Sequence, residues 1–373
     1  MAIDESILRN DEKAVFALRS LYNQHGYTRY KMSKFEEYDL YVKNKDVLVS
    51  DGVITFTDTN GRLLALKPDV TLSIINNSKD ASGSVQKVYY DENVYRISGS
   101  THTYKEITQT GLECIGDIGL LETAEVILLA VKSLETINSQ FMLTLSHNKI
   151  VEAVLEESGL DLALAKRVVQ MIESKNRDDL KALCNENGIA DDVFSKLAVL
   201  ADNFPTIDSA IEKIEGVCSS EASKSALEEL KAVCNLLNSR GYRSKINVDF
   251  SIAGNMGYYS GVVFNGYIKN IPTAVLSGGR YDRLMQKMGR KSGAIGFAVY
   301  LDALERLDLV EKTFDVDVVL ISGNDIEATL NTSEMLSSGG SSCLVCGKLP
   351  EGIRAKKIIK ITEKGLETVY GND

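Results

Sequence analysis

No run of about 18 consecutive apolar residues occurs in the 373-residue sequence, so a simple membrane-spanning helix is excluded. The first residues, MAIDESILRNDEK, are polar and acidic where a secretory signal would be basic and then apolar. A cytoplasmic location with no membrane partner is the expectation. Cysteine is sparse, six in all, too few for a disulfide scaffold. Cys343 and Cys346 form a CxxC pair, but no second pair or nearby histidine completes a zinc ligand set. A buried strand accounts for them, and neither a metal nor another cofactor is expected. Glycine-rich nucleotide signatures are missing too: there is no GxGxxG and no GxxxxGK[ST]. The three histidines, His25, His102 and His147, have no identifiable serine or cysteine partner for hydrolysis. Finally, basic charge is in deficit, with 42 Lys and Arg against 52 Asp and Glu, a net charge of -10. Non-specific affinity for nucleic acid rests on cations neutralising phosphates, so this balance argues against a tRNA partner.

What is present is a globular mixture of 44% hydrophobic and 25% charged residues. The length exceeds what one core sustains and implies two or three domains. Asn10 reads as the N-cap of a helix carrying Ala14, Val15, Leu18, Leu21 and Tyr22 at helical spacing, closed by Gly26. VITFTD and RLLAL flank Thr59-Asn60-Gly61, a hairpin signal of the type I′ kind. SVQKVYYDENVYR and YKEITQTGLECIG predict two long antiparallel strands joined around Ser98 to Thr103, followed by a helix from Leu120 to Ile137 and a strand at FMLTLSH. Residues 148–239 then show only helical spacing, and strands return at SKINVDFSI, GYYSGVVFNGYI and TAVLSGGRYD before a helix at YLDALERL. The order predicts an α+β core formed by residues 1–147 and 240–309, a helical insertion at 148–239, and a small α/β C-terminal domain at 310–373.

The chemistry concentrates on one strand. In YKEITQTGLECIG the period of two puts Gln109, Gly111 and Glu113 on one face and Thr108, Thr110, Leu112 and Cys114 on the other. Glycine offers nothing to pack, so its place between an amide and a carboxylate points to close approach by a ligand or by backbone. The alternative is a solvated face with an accidental glycine. A half-buried carboxylate needs a cation or donors. With Asp69 and Thr71 it would form an acceptor-rich pocket suited to an ammonium group and a ring N–H, as an amino acid presents. Asp69 is equally explained by turn chemistry after Pro68. Tyr258 and Tyr259 are neighbours on a predicted strand, so one should face the pocket and the other the core.

Taken in order, these segments resemble the catalytic core of histidyl-tRNA synthetases and of their non-synthetase paralogue, the regulatory subunits of short-form ATP phosphoribosyltransferase. LKPDVT is similar to the family's R-P-E-G-T segment, YR with QTGLECIG to motif 2 and its Q-x-G-x-E strand, YYSGVVF to Y-Y-x-G-x-V-F, and SGGRYDRL with GFAVYLDAL to the motif 3 region. The resemblance implies a class II aminoacyl-tRNA-synthetase-like antiparallel sheet with flanking helices. It carries histidine contacts onto Asp69, Thr71, Gln109, Glu113, Tyr258 and Tyr259.

The departures fall on the nucleotide side. Arg96 matches the motif 2 arginine that holds a phosphate and is retained, but the glutamate expected two residues later is Ser98. The arginine of R-G-L-D-Y-Y falls on Gly254 and its aspartate on Gly257, the motif 3 arginine on Ala303, and the motif 1 proline on Ser33. Losing one preorganised donor from such a site costs roughly 3–4 kcal/mol of transition-state stabilisation, so loss of two arginines should abolish amino-acid activation. The tail is also shorter than an anticodon-binding domain. The resemblance therefore implies a non-catalytic regulatory subunit that activates a short-form catalytic subunit at the first step of histidine biosynthesis, self-associates as a dimer in a hetero-oligomer, and takes L-histidine as feedback effector. The alternatives are a divergent histidyl-tRNA synthetase, or a synthetase-like amino-acid-binding module with another partner.

Overall fold

Helix α1 (Asn10–Gln24) buries Ala14, Leu18 and Tyr22 along one stripe and gives way at Gly26, whose φ of 80° only glycine adopts without strain. It starts at the expected cap itself, with Arg9 as the cap, because Glu12 reaches back to accept from the Arg9 amide at 2.9 Å and Asn10 is already helical. The computed structural model describes residues 8–44, 52–78, 83, 85–97, 103–254, 256–308, 313–362 and 365–371. Ser98 and His102 lie outside the described residues.

After β1 (Thr28–Arg29) come β2 (Phe35–Glu37), α2 (Tyr38–Lys43), β3 (Thr55–Thr57) and β4 (Leu63–Leu66), and β2, β4 and β3 form a small antiparallel sheet. The β3–β4 hairpin is not of the expected type I′. Only Gly61 has positive φ (78°), the Gly61 amide bonds to the Asp58 carbonyl at 3.1 Å, and Asp58 Oδ1 accepts from the Asn60 and Arg62 amides at 2.8 Å each. The Asp58 side chain holds the turn in the right-handed region, leaving the left-handed step to one glycine.

Helix α3 (Val70–Asn77) leads into the long antiparallel pair β5 (Val85–Ile97) and β6 (Tyr104–Gly116), then α4 (Leu120–Ile137) and β7 (Phe141–His147). Six helices follow without a strand: α5 (Asn148–Glu157), α6 (Leu162–Glu173), α7 (Arg177–Glu186), α8 (Asp191–Leu200), α9 (Ile207–Glu215) and α10 (Glu221–Ser239). Asp161, Asn176, Thr206 and Ser220 cap four of them with side-chain oxygens. The chain returns through β8 (Ile246–Val248), β9 (Val262–Ile268), β10 (Leu276–Arg280), α11 (Asp282–Lys287) and β11 (Gly293–Tyr300).

The main sheet runs β1-β5-β6-β11-β10-β9-β7-β8 and is antiparallel except at its two edges, where β1 and β8 pair parallel. One face buries α1, α4 and the helical insertion in a single core that includes Leu112 and Cys114 of β6. The other face carries a smaller core with Ile115, Tyr90, Tyr258 and Tyr281. Two expected strands are shorter than predicted. Asp249 Oδ1 accepts from the Ser251 amide at 2.9 Å and curls Phe250–Ile252 into a 3-10 turn, and β9 begins only at Val262. The segment after β11, expected as an α-helix, is a 3-10 helix, Leu301–Asp308.

The chain forms two compact units, residues 1–307 and 308–373. The second holds β12 (Val316–Ile321), α12 (Ile326–Ser338), β13 (Cys343–Cys346), β14 (Ala355–Thr362) and β15 (Gly365–Gly371), in the order β13-β12-β14-β15. Cys343 and Cys346 are unpaired thiols on β13. Among the described residues no helix is long and apolar enough to cross a membrane, and no cluster of three or more His, Cys, Asp or Glu could hold a metal ion.

Candidate functional site

Where β6 and β11 cross the second face of the sheet, a cavity of about 310 Å³ opens, and every residue named above for histidine contact lines it. Gln109 and Glu113 come from β6, Asp69 and Thr71 from the start of α3, and Tyr258 and Tyr259 from the segment ahead of β9. The expectation that the two tyrosines face opposite sides, one the pocket and one the core, is overturned: both line the cavity, and Tyr258 belongs to the smaller core as well. Both residues precede the strand, so period-two alternation does not apply, and their rings meet edge to face at 4.8 Å between centroids.

Glu113 is the centre of the arrangement. It is 2% exposed, its Oε1 accepts from the Thr71 hydroxyl at 2.7 Å and its Oε2 from the Tyr281 hydroxyl at 2.5 Å. Burial pushes its pKa up to about 8; the two hydroxyl donors pull it back and the nearby Asp69 carboxylate pushes it further. Room for the carboxylate is made across the ladder, where Gly296 pairs with Glu113: a Cβ there would overlap Oε2 and stand 2.5 Å from the Leu112 carbonyl. Asp69 plays two parts. Its Oδ1 caps α3 by accepting from the Leu72 amide at 2.9 Å, and the same side chain lines the cavity. Gly111 serves backbone and side-chain packing: a Cβ there would meet the Tyr90 hydroxyl at 2.6 Å and overlap the Phe297 carbonyl. Tyr90, directly cross-strand from Gly111, fills the hole.

Several lining residues were not singled out by the sequence. Tyr90, Tyr281 and Tyr300 are buried or nearly so, and burial raises all three phenol pKa values. Asn265 and Ser277 face each other across β9 and β10, and both line the cavity. Hairpin register could have found Tyr90; Gly296, Asn265 and Ser277 depend on long-range pairing.

A family model described as histidyl-tRNA synthetase matches residues 3–304. An ATP phosphoribosyltransferase regulatory subunit from Clostridium kluyveri is 31% identical over 297 residues, covering 77% of this chain and 75% of that protein. The chain belongs to that family. A second regulatory subunit, from Oceanobacillus iheyensis, is 27% identical over 290 residues, 77% of this chain and 71% of the relative. Among solved structures, a protein from Bacillus halodurans described as an ATP phosphoribosyltransferase regulatory subunit/histidyl-tRNA synthetase covers 96% of this chain and 99% of its own, at a TM-score of 0.73 and 22% identity. An ATP phosphoribosyl transferase complex, HisG:HisZ, from Thermotoga maritima gives a TM-score of 0.62 at 22% identity over 78% of this chain and 97% of that one. Both share the fold.

Three positions that the synthetase pattern gives to arginines are seen in the structure. Arg96 lines it, and its Nε donates to the Pro68 carbonyl at 2.9 Å. Gly254 stands in the cavity wall where the synthetase pattern has an arginine, and a Cβ there would come within 2.5 Å of Glu173 Oε1 from α6. Ala303 packs against the main hydrophobic core. Acceptors and phenols remain, with one arginine partly occupied by backbone.

Proposed function

We propose that this chain is the non-catalytic subunit of a short-form ATP phosphoribosyltransferase, raising the activity of a catalytic partner and reporting L-histidine through the cavity around Glu113. The observation that carries this reading is the pairing of an intact amino-acid pocket with missing activation arginines. Asp69, Thr71, Gln109, Glu113, Tyr258 and Tyr259 converge on one cavity, while the positions for the R-G-L-D-Y-Y arginine and the adenine-stacking motif 3 arginine hold Gly254 and Ala303. A buried acceptor with hydroxyls already in place suits a ligand that brings N–H donors and positive charge. Such a site can bind without reacting.

In the complex, all chemistry belongs to the partner, which joins ATP to phosphoribosyl pyrophosphate with release of pyrophosphate. Histidine binding at about 10–100 μM needs only about 5.5–7 kcal/mol. Coupling of about 1–3 kcal/mol changes activity roughly five- to a hundred-fold if histidine favours the less active assembly. The Thermotoga maritima complex supports a two-chain assembly built on this fold.

The test is to mix the chain with a short-form catalytic subunit and measure product with and without histidine. Activation by this chain, and its loss on adding histidine, is expected. Glu113→Ala should weaken histidine binding and inhibition while leaving assembly intact; unchanged calorimetric affinity would sink the site assignment. Histidine-dependent ATP–pyrophosphate exchange by the chain alone would instead establish a synthetase.

A further inference from the structure

The segment Met256–Gly261, which carries both cavity tyrosines, belongs to no helix or strand of the sheet. Three of its six carbonyls are nonetheless pinned. The Met256 carbonyl accepts from Arg283 Nη1 at 2.8 Å, the Tyr259 carbonyl from Asn148 Nδ2 at 3.0 Å, and the Gly261 carbonyl from the Asn148 amide at 2.9 Å. Arg283, on α11, turns its fork on Glu152, with Nη1 to Oε1 at 2.8 Å and Nη2 to Oε2 at 3.0 Å. Asn148 and Glu152 are one turn apart on α5, the first helix of the insertion, and Asn148 is fully buried. None of Asn148, Glu152 and Arg283 lines the cavity.

From this geometry we infer that Asn148 and the Glu152–Arg283 pair are positioning residues that clamp the tyrosine segment onto α5, so that occupancy of the cavity is felt by the helical insertion. A bidentate arginine–carboxylate pair is directional, and an arginine with a third bond to a loop carbonyl fixes that loop along with the helix. A ligand that shifts the backbone at Tyr259 or Gly261 has to move Asn148 on α5 or break its bonds to these carbonyls. The ligand half of this inference rests on the histidine reading; the clamp itself does not.

Hydrogen exchange on the full chain without ligand is the first arm. Glu152→Gln and Arg283→Lys are expected to speed exchange of the Met256–Val262 amides about two- to thirty-fold, while β5 and β6 amides keep their rates. Combining Glu152→Arg with Arg283→Glu restores an ion pair between α5 and α11 but offers no donor to the Met256 carbonyl. It should recover the melting temperature and not the slow exchange. Unchanged loop rates in the single variants, or full recovery in the swapped one, overturn the clamp. The second arm adds L-histidine, which should protect α5 together with the loop in the unaltered chain and the loop alone in Glu152→Gln. Loop protection with α5 unaffected in the unaltered chain overturns the link to the insertion. If histidine alters nothing while the first arm holds, the clamp stands and the histidine assignment falls.

Discussion

Glu113→Gln isolates what a buried carboxylate costs this fold, and the cost has a sign and a pH window. The Glu113 pKa rises from its ordinary 4.5 to about 8 in the folded chain. A group with a raised folded pKa contributes most favourably below its unfolded pKa, and that contribution is lost as pH rises through the folded value. Stability attributable to Glu113 is therefore undiminished near pH 4, declines from about pH 4.5, and levels off above pH 8. At about 1.4 kcal/mol per pH unit, the full loss is on the order of 5 kcal/mol. Glutamine keeps the shape and removes the ionisation. One hydroxyl of the Thr71 and Tyr281 pair can still donate to its oxygen, and the other can turn to accept from its amide.

The assay is denaturant unfolding of both chains at several pH values from 5 to 8.5. The difference in unfolding free energy, variant minus unaltered chain, should grow steadily toward alkaline pH. A constant offset from re-pairing the two hydroxyls is irrelevant, because the slope alone carries the reasoning. A difference constant within about 1 kcal/mol over this range, against about 4 kcal/mol expected between these pH limits, refutes a burial-dominated Glu113.

Other consequences are more local. Gly296→Ala should lose histidine binding by displacing the Glu113 carboxylate, and cost about 1–3 kcal/mol by overpacking the β6–β11 ladder, whereas Gly257→Ala, with nothing within 4 Å of its Cβ, should bind and melt normally; calorimetry and thermal melts read both. Tyr281→Phe removes a donor that pulls the Glu113 pKa down, so the alkaline limb of the unaltered chain's stability curve should move to higher pH and histidine should bind more weakly in titrations near neutrality. Asp69→Ala should cost about 1 kcal/mol for the lost helix cap as well as histidine affinity, and Asp69→Ser should restore the cap in melts while leaving the affinity low.

The sequence carried the sheet because its two longest strands declare their faces by period: Leu112 and Cys114 pack into the main core while Gln109 and Glu113 line the cavity. It misled where side chains override local signals. Asp58 converts a Thr-Asn-Gly signal from a type I′ turn into a right-handed turn closed by Gly61, and the Tyr258-Tyr259 pair escapes strand alternation because Asn148 holds the Tyr259 carbonyl and Arg283 the Met256 carbonyl just before the pair, off the ladder. Gly111 was rightly marked as a place of close approach, but the approaching group is Tyr90 together with the Phe297 backbone. Gly296 and Tyr281, which give Glu113 its room and one of its donors, lie over 160 residues away in sequence from it, a separation that no local pattern spans.

The pocket and the activation site differ in how deeply they are built into the fold, and this explains how one can be present without the other. Removing Glu113 would leave the Thr71 and Tyr281 hydroxyls without their acceptor, and removing Asp69 would uncap α3. Asp69, Thr71 and Glu113 thus each double as a partner in an internal hydrogen bond, at roughly 0.5–1.5 kcal/mol net or more for a charged partner. The positions of the missing arginines carry no such double duty: Gly254 sits in the cavity wall and Ala303 at the edge of the main core, with no side-chain hydrogen bond to lose at either. A nucleotide-handling arginine at such a place stabilises its ligand and little else. On the proposed reading, binding of an amino acid is tied to folding in this chain, whereas activation is a detachable addition, and a fold of this kind is free to serve as a sensor once the addition is gone.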